Sequence, residues 1–182
     1  LFPYTTLFRS LISLSMQSGM QEKAVQNINA LSKILRSMSQ WDKEIPLAKE
    51  LELLEAYLGI QSSRYEDRLK YRIEADPALL AHPVPALLLQ PIVENAVRHG
   101  CERKKDATAI EVTASVRDAR IVIEVRDDGP GMDGDTLRRV RCRLYGSGGD
   151  DAASTDGMPE ESGGIGLVNA NRRIRARYGE AY

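Results

Sequence analysis

The chain has 182 residues, 42% hydrophobic and 5% aromatic, with 25 Lys and Arg against 26 Asp and Glu and a net charge of -1. That length suits one domain, or one domain with a helical appendage, and can bury a core. The balanced charge offers no basic excess for nucleic acid, and no apolar run approaches the roughly 20 residues of a membrane span.

The opening stretch, LFPYTTLFRS, holds both phenylalanines, a proline and a Thr-Thr pair, none of which starts a helix well. It lacks the basic start and long apolar run of a signal peptide. Residues 11–40 then read as a helix, with Ala24, Ile28, Leu31, Leu35 and Met38 stepping by four and three along one face. SMSQWDKEIP breaks the pattern. Pro46 is suited to be the first residue of a second helix, in which Leu47, Leu51, Leu54 and Leu58 repeat the spacing through about Ser63. Two amphipathic helices with a short link suggest a helical hairpin. Whether the stripes pair with a second subunit or cover a core stays open.

The period then changes. Leu69, Tyr71 and Ile73 alternate with Lys70, Arg72 and Glu74, the pattern of a strand. From Ala86 to His99 the chain looks helical, with Gly100 as its C-cap and Pro91 marking a kink or a start. AIEVTASV (109–116) and RIVIEVRD (120–127) form an antiparallel hairpin by pattern. A helix from about Asp133 to Leu144 follows, then a Gly/Ser/Asp-rich loop over 145–164 and a final helix from GIGLVNANRRIRARYG. Cys101 and Cys142 lie far apart and form no CxxC, so both read as reduced thiols.

Three segments carry chemistry. In QPIVENAVRHG, Glu94, Asn95, Arg98 and His99 fall close together on a helix. Asn95 offers a neutral oxygen suited to a Mg²⁺ that already carries phosphate oxygens, Arg98 can meet a phosphate, and His99 can stack on a flat ring. The same cluster is also what an ordinary polar helix face looks like. In Asp127-Asp128-Gly129-Pro130-Gly131, a carboxylate at a strand end can accept from an exocyclic amine, and glycines let a backbone approach a flat ligand; DDGPG is equally a surface turn. In Gly163-Gly164-Ile165-Gly166-Leu167, glycines open a helix whose N–H groups can face an anion, or simply hinge the preceding loop. Neither glycine motif has the spacing of a P-loop or dinucleotide fingerprint.

Taken in order, these segments resemble the GHKL ATP-binding domains, most closely the catalytic domains of LytS-like sensor histidine kinases. QPIVENAVRHG looks like that family's N box, DDGPGM like its G1 box and GGIGLVNANRRI like its G2 box. LELLEAYLGIQSSRYEDRL resembles the segment joining dimerisation helix to catalytic domain. The resemblance implies an α+β fold: an N-terminal helical hairpin followed by a two-layer α/β sandwich of the GHKL (Bergerat) type, its C-terminal strand missing. It implies that residues 11–65 are partial dimerisation helices and 66–182 the catalytic domain. It further implies ATP and Mg²⁺ as cofactors, with Asn95 holding the metal and Glu94 orienting or assisting proton removal. Asp127 would read the adenine amino group. Gly129, Gly131, Gly164, Ile165, Gly166 and Leu167 would line the nucleotide, Arg98 and His99 would contact phosphate and base, and the 145–164 loop would be the ATP lid. The partners implied are a second copy through the hairpin and a response regulator of the LytTR type. A membrane would be met only through upstream sensor segments, leaving this part on the cytoplasmic side. An anti-sigma-type serine kinase and a degenerate nucleotide-binding module stay open as alternatives.

The sequence departs from the family's pattern at two places. Pro91 stands where many histidine kinases carry a second Asn one turn before the metal ligand, a change that the LytS-like group shares. The family's phosphoacceptor His, in a motif like NPHFLFN, would fall near residue 4, where Tyr4 stands; the chain's two histidines are His82 and His99. The codons CTC TTT CCC TAC ACG ACG CTC TTC CGA TCT, a short-read sequencing adapter, translate to LFPYTTLFRS. Residues 1–10 are therefore expected to be non-native.

Overall fold

The computed structural model describes residues 25, 43–103, 106–145 and 165–179. The expected first helix over 11–40 and the loop over 145–164 fall outside these, apart from the helical position 25 and Tyr145. A short strand, β1 (Glu44–Pro46), leads into helix α1 (Leu47–Tyr65). Pro46 thus ends the strand and stands just before the helix, where its missing N–H removes nothing. The next N–H groups, of Leu47 and Ala48, donate to His82 and Leu80 carbonyls at 2.8 and 2.9 Å. Leu47, Leu51, Leu54 and Leu58 are all buried, in one core with Ile110 and Val112. The stripe left open by the sequence is therefore spent inside this chain.

Strand β2 (Leu69–Ala75) follows a single 3-10 turn. Strand β3 (Pro83–Pro85) pairs antiparallel with β1, and helix α2 (Gln90–Arg103) comes next. Strands β4 (Thr108–Arg117) and β5 (Arg120–Asp127) form the expected hairpin. Its two turn residues, Asp118 and Ala119, both take positive φ, 50° and 58°, the conformation whose twist suits a two-residue hairpin. Helices α3 (Gly134–Tyr145) and α4 (Ile165–Tyr178) complete the described chain. The main sheet runs β2-β4-β5, with β2 parallel to β4 and β4 antiparallel to β5.

The sheet and helices form two layers, an α+β arrangement. Along β4, Thr108, Ile110, Val112 and Ala114 alternate inward and are buried under the helices. The opposite sheet face is charged, with Arg72–Glu74, Arg117–Glu124 and Arg126–Glu124 pairs. Exposed pairs of this kind contribute little to stability.

Of the two readings offered for Pro91, a start rather than a kink holds: the helix begins at Gln90, and Leu87, with φ 57°, breaks any helical run from Ala86. One expectation needs correction. Gly100 is not a C-cap: α2 continues to Arg103, and Gly100 sits inside it against Thr108. The C-cap glycine is instead Gly179 after α4, with φ 84° and its N–H on the Arg175 carbonyl at 2.9 Å.

Candidate functional site

Helix α2 buries Val93, Ala96, Val97, Gly100 and Cys101 and leaves Glu94, Asn95, Arg98 and His99 on its more open side. The periodicity of QPIVENAVRHG causes this: its apolar residues recur at helical spacing, so the polar ones share the remaining face. Arg98 Nη2 donates to Asn95 Oδ1 at 3.3 Å and lies 3.2 Å from His99 Nε2. A guanidinium can only donate, so in that contact His99 Nε2 is the acceptor. Glu94 Oε1 accepts from Gln90 Nε2 at 2.9 Å, one turn earlier. Gln90 is buried, and nothing in the sequence pattern singles it out.

The two glycine motifs meet α2 at its opposite ends. At the C-terminal end, β5 stops at Asp127, whose Oδ1 accepts from the Gly129 N–H at 2.9 Å. A Cβ on Gly129 would lie 2.7 Å from that oxygen and 3.3 Å from Gly100 Cα, so the turn and the helix backbone touch. The neighbouring carboxylate has other work. Asp128 Oδ1 accepts from the Ala109 N–H at 2.8 Å and holds the turn to β4. At the N-terminal end, a Cβ on Gly166 would lie 3.2 Å from Pro91 Cβ, so the first turn of α4 lies against the first turn of α2. Pro91 and Gly166 are roughly 13 Å along the helix from the Gly100–Gly129 contact, at about 1.5 Å per residue. Leu167 is half-buried, Gly131 is exposed with φ 71°, and Ile165 opens α4. Gly164 lies outside the described residues. The arrangement is an elongated polar strip with an acidic residue and a tight glycine turn at one end and a glycine-opened helix at the other.

The donor set fits ATP with Mg²⁺. Asn95 Oδ1 has a second lone pair beyond the one facing Arg98, a single neutral oxygen of the kind added to a cation already bound to phosphates. Gly129 lets the turn after β5 close against the Gly100 backbone beside the Asp127 carboxylate. Cys101 is buried and Cys142 exposed, and no disulfide joins them. Among the described residues, no helix is long and apolar enough to cross a membrane.

This fold and this strip define an ATP-binding domain of the histidine-kinase type. The family model for histidine kinase-, DNA gyrase B-, and HSP90-like ATPases matches residues 84–181, which include α2, both glycine motifs and α4, and the chain belongs to that family. A histidine kinase family model matches residues 6–69. The chain is 31% identical to the sensor histidine kinase YesM of Bacillus subtilis over 182 residues, all of this chain and 28% of that protein. It is 30% identical to the sensor protein LytS of Bacillus subtilis over 161 residues, 87% of this chain and 25% of that protein. It is 30% identical to the sensor histidine kinase YpdA of Escherichia coli over 96% of this chain and 28% of that protein. The chain thus spans little more than a quarter of the length of these curated relatives. A solved histidine kinase domain, from the Erythrobacter litoralis EL346 blue-light activated histidine kinase, matches 72% of this chain and 75% of its own, with a TM-score of 0.40 and 20% identity.

Proposed function

We propose that this chain is the catalytic, ATP-binding part of a two-component sensor histidine kinase of the LytS type. The observation that carries the reading is the contact of both glycine motifs with the helix of Asn95: Gly129 against Gly100, and Gly166 against Pro91. A nucleotide would lie along the strip, its adenine amino group on Asp127 and its phosphates toward Asn95, Arg98 and the start of α4. Mg²⁺, when bound, would neutralise developing charge on the phosphates. Gly131, Gly164, Ile165, Gly166 and Leu167 would line the nucleotide, and His99 would lie beside the base.

In the transfer, the bond from the γ-phosphorus to its bridging oxygen breaks and a bond to an imidazole nitrogen forms. Glu94, held by Gln90, would orient that imidazole or take its proton. The phosphoryl group then passes to an Asp of a response regulator of the LytTR type. The acceptor imidazole is neither of this chain's own. His99 belongs to the strip itself, and His82 lies in the loop whose backbone closes the start of α1. In the whole protein the acceptor would stand on a dimerisation helix, near the position of Tyr4, and two copies would pair through the helical hairpin, chiefly through the helix expected over 11–40, since the leucine stripe of α1 is spent in the core. Upstream sensor segments would anchor the whole at a membrane.

Transfer is tested by supplying an acceptor helix in trans with γ-labelled ATP. An acid-labile, base-stable label on the helix His is expected. Bound ATP with no label on the helix would favour a nucleotide-binding module instead.

A further inference from the structure

Glu50 is a carboxylate that the leucine stripe of α1 carries into the core. It is 1% exposed, rare for a glutamate unless it is fully partnered. Its partners are two backbone groups remote in sequence: the Leu87 N–H donates to Oε2 and the Leu89 N–H to Oε1, both at 2.8 Å. Burial pushes the Glu50 carboxyl above its ordinary range, opposed by the Leu89 and Leu87 N–H groups and by the nearby Arg173 charge.

The segment it grips is the entry to α2. Leu87 takes φ 57°, a left-handed backbone that non-glycine residues hold only when their surroundings fix it. Two residues on, the Leu89 carbonyl accepts from Ile92 and Val93 N–H groups, both at 3.0 Å, and so starts α2. The other side of the same segment faces α4. Arg173 donates from Nη2 to the Ala86 carbonyl at 2.8 Å and from Nη1 to the Leu87 carbonyl at 3.4 Å. The segment is thus clamped from both sides: α1 takes the Leu87 and Leu89 N–H groups, and α4 takes the Ala86 and Leu87 carbonyls. Two further contacts extend the seam: Arg177 donates to Glu44 at the start of β1, and the Tyr178 hydroxyl donates to the Pro83 carbonyl at 3.2 Å.

We propose that Glu50 is a positioning residue for the nucleotide site: its carboxylate fixes residues 87–89, and with Arg173 it makes the placement of α2 and of the glycine-opened helix α4 depend on α1. The proposal rests on the nucleotide reading above. A shift of α1 would then be carried to both glycine contacts at once, because α2 bears one at each end. Glutamine at position 50 would have one acceptor oxygen for two N–H groups and would turn an NH₂ toward the second.

The test uses the full chain without nucleotide, followed by amide hydrogen exchange, and in parallel a Mg·ATP titration. In Glu50→Gln, exchange over residues 86–92 and over the first turns of α4 is expected to rise about tenfold, the scale of one lost hydrogen bond to a charge. Exchange in β4 and β5 should hold, and Mg·ATP should bind about tenfold more weakly. Arg173→Gln, at a half-buried position, should give the same pattern and decides the matter if Glu50→Gln does not fold. Acceleration confined to 86–92, acceleration spread evenly over the sheet, or an unchanged Kd would overturn the proposal. If the wild-type chain itself fails to bind Mg·ATP, the nucleotide reading falls by that result, and the exchange pattern still decides whether Glu50 ties α1 to α2 and α4.

Discussion

Gly100 and Gly129 face each other across the end of α2 and the turn after β5, with a Cβ on Gly129 placed 3.3 Å from Gly100 Cα and 2.7 Å from Asp127 Oδ1. Of these two obstacles the helix backbone cannot yield and the carboxylate can rotate. Gly129→Ala is therefore expected to displace the Asp127 carboxylate while the domain stays folded. Mg·ATP affinity should fall about tenfold or more, the worth of a hydrogen bond to a charged group, while the unfolding midpoint moves little. An unchanged affinity would separate Asp127 from nucleotide binding.

Gly100 also meets Thr108, and here nothing can yield. A Cβ at position 100 would lie 2.4 Å from Thr108 Cγ2, and Thr108 is 0% exposed. Gly100→Ala should cost about 1–3 kcal/mol of unfolding free energy by overpacking, outweighing the helix-propensity gain of up to about 1 kcal/mol. Thr108→Ala removes the obstructing methyl, so the double variant should be more stable than the two single losses add up to. Additivity in that cycle would show that the two positions do not press on each other.

Much of this architecture is legible in the residues, and what is not has physical reasons. Alternation over Leu69–Ile73 and over 109–127 predicts strands because each has one buried face, as β4 shows in its alternating burial. Pro91 marks the place of the kink or start without saying which, because the leucines at 87–89 are apolar in any conformation; the positive φ at Leu87 has no local signature in a leucine. Gly100 reads as a cap because a glycine near a helix end usually is one, whereas its cause here is the contact with Thr108, distant in sequence. In the string, Asp127 is told from Asp128 by the strand end and by the resemblance of DDGPGM to a G1 box. Only the turn shows that Asp128 closes onto Ala109. Glu50 stands three residues after Leu47 and four before Leu54, on the face of the stripe, but nothing local shows the distant N–H groups of Leu87 and Leu89 that it meets there.

Helix α3 supplies a pH dependence. Asp133 precedes it and accepts from the Thr136 N–H at 2.8 Å and the Thr136 hydroxyl at 3.0 Å. The Thr136 N–H, then its hydroxyl, hold the Asp133 carboxyl below its ordinary value. A lowered folded value means that the stability it contributes is present above about 3.9, the ordinary aspartate value, and is lost as pH falls through the folded value. Asp133→Asn keeps a capping oxygen but not the charge. Urea unfolding should find the variant less stable near neutral pH, with the difference closing as pH drops below about 4. A difference that persists undiminished in acid would contradict the assignment.

The opening decapeptide has a test of its own. If residues 1–10 derive from adapter sequence, resequencing the source DNA should reveal an NPHFLFN-like stretch upstream of Leu11 in place of LFPYTTLFRS. Native DNA encoding LFPYTTLFRS at that place would show the segment to be the protein's own.

In the proposed site, α2 lies between the glycine turn after β5 and the start of α4, with Asp127 at the adenine end. A calorimetric titration of the full chain with Mg·ATP tests it most directly, with Asp127→Asn titrated beside the wild type. One ATP bound per chain is expected for the wild type, and a loss of about tenfold or more for Asp127→Asn, because an amide NH₂ replaces an acceptor oxygen opposite the adenine amine. A folded wild-type chain that binds no ATP, or an Asp127→Asn variant that binds it equally well, would contradict the account.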